Sequence, residues 1–181
     1  DAAVDNAVFG DQMYAARQEG RITRVPWEPR TGVETYWDIG WDDQTAIWFV
    51  QQVGKEVRLI DYYEARLAGP EHYIKVIREK PYTYDRHVLP HDADLSRLET
   101  GGKSLKEILW GMGLSVEIGT KLTIEEQIAH ARLLFPRVWA DQDKCEHGIS
   151  CLSSYHFAFD DAKQTLGRTP VHDWSSHASS A

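Results

Sequence analysis

Apolar and polar residues alternate along residues 34–64 with the period of a β-strand, and further on the period lengthens to that of a helix. Three strands are expected in quick succession: Glu34–Ile39, Thr45–Gln52 and Glu56–Glu64. In the third, Val57, Leu59, Asp61 and Tyr63 alternate against Arg58, Ile60 and Tyr62. The short joins, one through Gly54-Lys55, predict an antiparallel meander. Helix and strand then take turns. Pro70 opens a helix over Glu71–Lys80, followed by a short strand at His87-Val88-Leu89-Pro90. Ser104–Trp110 reads as a helix stopped by Gly111, Leu114–Ile118 as a strand, and Ile124–Phe135 as a helix. Thr123 and Glu126 stand at capping-box spacing before that helix. Val138-Trp139-Ala140 is a brief extended piece. Asp141–His156 has helical spacing, with Cys145, Ile149, Leu152 and Tyr155 on one face. Residues 169–181 read as a tail in which Asp173–His177 could start another helix.

Before the meander, residues 1–33 form a polar, partly helical lead-in. Ala15–Gly20 reads as a helix end with a glycine stop, and Arg21–Val25 as a short strand ahead of Pro26 and Pro29. Together these elements predict an α/β fold: a mixed central sheet, three antiparallel strands and then parallel βα units, flanked by helices.

At 181 residues, 42% of them hydrophobic, the chain suits one ordinary domain. No run reaches the roughly 18 apolar residues of a membrane span, and no signal peptide stands at the start. The formal net charge is −8. That excludes a chain that grips nucleic acid by a global basic stripe, unless another domain supplies most of the grip. It suits a divalent-metal site. Cys145 and Cys151, six positions apart, read as free thiols rather than a disulfide. They are weak metal candidates: His147 lies between them, but no second Cys/His pair follows at zinc spacing.

Two expected strands end in a carboxylate. Tyr36-Trp37-Asp38-Ile39-Gly40 carries Asp38 into a glycine turn, and His87-Val88-Leu89-Pro90-His91-Asp92 carries Asp92. Asp-Ile-Gly could be merely a turn signal, and Asp92 could cap a loop with Asp94. Two such aspartates brought within about 4–6 Å at one sheet edge would cost more to ionise together unless a cation sits between them. The segment from Pro170 to Ala181 is dense in His, Asp and Ser, though a lone histidine such as His177 is more often a structural hydrogen-bonding residue. Asp42 and Asp43 read as solvated, with the option of holding a metal-bound water. Gly102-Lys103-Ser104 imitates the end of a phosphate-binding loop, but Arg97 stands where that motif needs its first glycine. Lys103 and Lys106 read as a solvated helix face. An actin-like nucleotide site would need a second lobe, for which the chain is too short.

The W-D-I-G-W-D-D-Q-T-A-I-W-F segment, the L-P-H-D segment and the terminal H-D-W-S-S-H-A segment, in that order, resemble the nuclease domain of the large terminase subunit of tailed bacteriophages. The resemblance covers residues 34–181. It implies a ribonuclease H-like fold over 34–181 and metal-dependent cleavage of concatemeric viral DNA, with two Mg²⁺ or Mn²⁺ ions. Carried over by position, Asp38 matches the first catalytic aspartate and Asp92 the second. The third aspartate is expected at Ser180, a poor ligand without charge; Asp173 is the weaker replacement. The resemblance also implies double-stranded DNA, a portal protein and a small terminase subunit as partners. It implies an ATPase domain preceding residue 1 in the same polypeptide, no membrane, and action in the cytoplasm of an infected bacterium. The rival expectation is a non-catalytic docking module of the packaging motor, favoured by Ser180 and the acidic balance.

Overall fold

The computed structural model describes residues 6–40, 43–95, 101–160 and 165–181, apart from the side chains of Asp160 and Arg168. Asp42 and Arg97 lie outside the described residues. Helix α1 (Gly10–Gln18) leads into strand β1 (Ile22–Thr23). The meander follows as β2 (Val33–Asp38), β3 (Gln44–Val53) and β4 (Glu56–Arg66), then α2 (Pro70–Glu79) and β5 (Tyr84–Leu89). A 3₁₀ turn (His91–Asp94), α3 (Leu105–Gly111), β6 (Val116–Ile118), α4 (Ile124–Leu134) and β7 (Val138–Asp141) come next. The described chain closes with α5 (Glu146–Ser154), β8 (Phe157–Asp160), β9 (Thr165–Pro170) and α6 (Ser176–Ser180).

One seven-stranded sheet carries the fold, in the order β1–β7–β4–β3–β2–β5–β6. The meander is antiparallel; β5, β6, β7 and β1 join in parallel pairs. It is the expected mixed sheet, and it takes in the lead-in as well, because β1 pairs with β7. Central β3 alternates between two cores. Ala46, Trp48 and Val50 join Phe9, Ile149 and Leu152 on one face, and Ile47 and Phe49 join Ile74, Ile77 and Leu109 on the other. A strand covered on both sides must be apolar at nearly every position, and the run Thr45–Val50 is buried throughout.

Four expectations need correction. The alternation read for β4 breaks at a bulge: Phe49 pairs with Asp61 and Val50 with Leu59, leaving Ile60 as the extra residue. Val57 and Leu59 therefore pack on one core while Ile60 and Tyr63 pack on the other. Helix α3 runs through Gly111 and ends before Gly113, whose φ of +91° suits the helix exit. Residues 169 and 170 are no tail: they finish β9, which pairs with β8 as a separate antiparallel ribbon that the periodicity did not reveal. Lys106 is not simply solvated, since its ammonium lies 3.5 Å from Asp94. The two capping boxes are formed as local chemistry dictates, Ser104 with Glu107 and Thr123 with Glu126. Ser104 thus serves α3, not a phosphate loop. Cys145 and Cys151 are buried and unbridged.

Candidate active site

Strands β2 and β5 lie side by side and run the same way, with Tyr36 opposite Val88. Asp38 is the last residue of β2, two beyond Tyr36, and Asp92 sits in the 3₁₀ turn just past β5, four beyond Val88. Both residues therefore stand at the same end of the sheet. Each is part-exposed.

The two strands are fastened together just behind that end. Thr35 of β2 hydrogen-bonds His87 of β5 (Oγ1 to Nδ1, 2.7 Å), and the Trp37 indole donates to the same Thr35 hydroxyl at 2.7 Å. Burial pushes His87 down to about 4, so the ring that shares this hydrogen bond with Thr35 is neutral.

Helix α6 lies beside Asp38. It packs on β3 and β2, held by the Trp48 indole, which donates to the Ala178 carbonyl at 2.7 Å. That contact sets His177, 6% exposed, between two carboxylates: Nδ1 lies 2.8 Å from Asp38 Oδ2 and Nε2 lies 3.2 Å from Asp43 Oδ2. The hydrogen bond to Asp38, together with Asp43, raises the His177 pKa, against the opposing effect of burial. The same contact with His177 lowers that of Asp43. His172 stands 3.8 Å from Asp43, its ring edge-on to His177. The donor atoms of Asp43, His172 and His177 lie within 4.8 Å of one another, a group able to hold a metal ion.

Asp43, read from sequence as solvated with the option of holding a metal-bound water, is half-exposed and joins His172 and His177 in this donor group. The signal for them was the density of His and Asp in residues 170–181, which lacked only the knowledge that this stretch folds back onto the end of β2. Ser180 ends α6, exposed, and lines a cavity of about 500 Å³ with Tyr36, Tyr155 and His172. Its hydroxyl faces the Tyr155 phenol. Asp173 has turned inward: Oδ1 accepts from the Ser175 amide at 2.9 Å and the Ser175 hydroxyl at 2.6 Å, making the turn that starts α6.

Solved structures similar to this chain include large-terminase nuclease domains. The chain matches the large terminase nuclease from thermophilic phage G20c with bound cobalt at a TM-score of 0.60, with 14% identity over 97% of this chain and 95% of that one. The nuclease domain of the SPP1 large terminase with bound Mn gives 0.57, with 12% identity over 83% and 80%. This is the large-terminase nuclease fold. Against the large terminase of a further thermophilic bacteriophage, in complex with ADP, the TM-score is 0.67 at 14% identity; the match covers 92% of this chain but only 41% of that longer one. No family model and no curated protein matches the chain.

Proposed function

We propose that this chain is the nuclease part of a viral DNA-packaging terminase, a divalent-metal-dependent endonuclease that cuts concatemeric double-stranded DNA. The observation that carries the reading is the delivery of Asp38 and Asp92 to one end of the sheet by adjacent parallel strands, beside a helix whose histidine grips Asp38. The large-terminase fold, seen elsewhere with cobalt or Mn bound, supports it.

The donors fit divalent cations. Asp38 and Asp92 would hold them, with the Ser180 position and the Asp43, His172 and His177 group beside them. Two such ions, Mg²⁺ or Mn²⁺, would activate the attacking water and stabilise the leaving 3′-oxygen. The protein's own part is positioning: His177 fixes the Asp38 carboxylate from the side, and the Thr35–His87 bond keeps β2 and β5 in register. Imidazole beside carboxylate favours Mn²⁺ over Mg²⁺. Cutting is largely independent of sequence, since no element among the described residues is set to read base edges. The partners in this reading are double-stranded DNA, a portal protein, a small terminase subunit and an ATPase domain in the same polypeptide, acting in the cytoplasm of the infected host.

Plasmid nicking with Mn²⁺ tests the proposal. Asp38→Ala should abolish cutting and Ser180→Asp should raise it by at least about tenfold, as expected when a missing charged ligand is restored. Full cutting by Asp38→Ala overturns the assignment. Ser180 favours one rival, a docking module without catalysis. Calorimetric silence at millimolar Mn²⁺, with portal or small-subunit binding retained, would establish that rival instead.

A further inference from the structure

A second donor cluster lies two strands away from Asp38 and shares no residue with the group around it. Asp38 pairs with Ala46 of β3, and Ala46 pairs with Glu64 of β4. Glu64 meets two residues of α5, His147 and Cys151, and the three donor atoms lie within 4.8 Å of one another. His147 and Cys151 are four apart on one helix, the spacing that stacks two side chains on one face. His147 Nε2 already stands 2.8 Å from Glu64 Oε1. The Glu64 carboxylate is oriented by the Tyr62 hydroxyl at 2.6 Å and the Gln44 amide at 3.4 Å, the kind of outer partners that ligating carboxylates carry. Cys151 is wholly buried, while the His147 side chain is 52% exposed and leaves an open side for water.

We propose that Glu64, His147 and Cys151 form a zinc site that clips α5 to β4. One sulfur, one nitrogen and one oxygen suit a borderline-soft ion with tetrahedral preference and a water in the fourth position; Mg²⁺ and Mn²⁺ prefer oxygen alone. Zinc uptake would replace the Cys151 thiol proton, which passes to solvent as the zinc–sulfur bond forms. Cys151 Sγ also faces the Trp174 carbonyl at 3.8 Å, and the Trp174 ring packs 6.0 Å from His147. The clip therefore steadies the approach to α6 and, through it, His177. The proposal holds whether or not the chain cuts DNA.

Cobalt is the probe. The full chain, stripped of metal and kept reduced, is titrated with Co²⁺ and followed by absorption. A thiolate-to-cobalt charge-transfer band should grow, saturate at one equivalent and vanish on adding Zn²⁺. Carboxylate–histidine ligation around Asp38 gives no such band. Cys151→Ser should lose it, His147→Ala should weaken Co²⁺ binding more than ~10-fold, and Asp38→Ala and Cys145→Ser should keep it. His147 is exposed enough that its alanine variant folds. Absence of the band in the parent chain overturns the site, as does a band that survives Cys151→Ser.

Discussion

His87 is 2% exposed and makes its hydrogen bond from a neutral ring. Its folded value of about 4 lies below the ordinary 6.5, so between those limits the unfolded chain binds a proton that the folded chain refuses. Stability therefore rises with pH across that window, is complete above it, and falls away as the pH drops toward 4. A depression of that size contributes up to about 3 kcal/mol. Urea unfolding across the window should show a steep acid limb in the parent chain and a flatter one in His87→Gln. Equal limbs would mean that other groups set the acid limit. Residue identity alone marked His87 only as part of a strand. Its neutrality comes from burial between β2 and β5, which no local pattern states.

At the level of elements, the placement of α6 depends on how closely α5 approaches β3. A Cβ on Gly148 would sit 2.4 Å from Trp48 Cη2 and 2.7 Å from Cζ2, inside contact distance for ring atoms that cannot give way easily. Gly148→Ala should push Trp48 aside, weaken its bond to Ala178 and cost about 1–3 kcal/mol by overpacking. A lowered melting temperature together with weaker Mn²⁺ binding is the expected result; Mn²⁺ binding at parental strength would separate Trp48 from the placement of His177. Gly111→Ala is the control. Nothing lies within 4 Å of its would-be Cβ, so removing a glycine from α3 should gain about 0.5–1 kcal/mol or leave stability unchanged. The start of α4 was readable because a capping box needs only residues three apart. The β4 bulge was not, because an extra residue in one strand is defined only by the partner it fails to face.

Across the whole molecule, the resemblance begins at residue 34, but the sheet does not. Arg21, 5% exposed, donates to the Phe135 and Val138 carbonyls at 2.9 and 2.8 Å. Asp141 accepts from the Val25 amide at 2.9 Å. Phe9 and Met13 belong to the core that holds Ile149 and Leu152. A 34–181 fragment loses a strand, a helix and those bonds together, so it should melt non-cooperatively or precipitate, while the 1–181 chain unfolds in one transition. Circular dichroism on both distinguishes the outcomes; a cooperative melt of the fragment would make the first 33 residues dispensable.

What lies close together in sequence was decided by sequence: strand and helix periods, both capping boxes, the proline at the head of α2, and a carboxylate at the end of each of two apolar strands. These follow from sterics and hydrogen bonding within a few residues of chain. Tertiary structure alone decided that β2 and β5 would be neighbours, that β1 would close the sheet against β7, and that His177 would reach Asp38 and Asp43 from well over a hundred residues away. It also decided that Glu64 would find His147 and Cys151. Such meetings depend on which apolar faces bury each other, and that choice is made by the summed packing of both cores rather than by any short stretch of the chain.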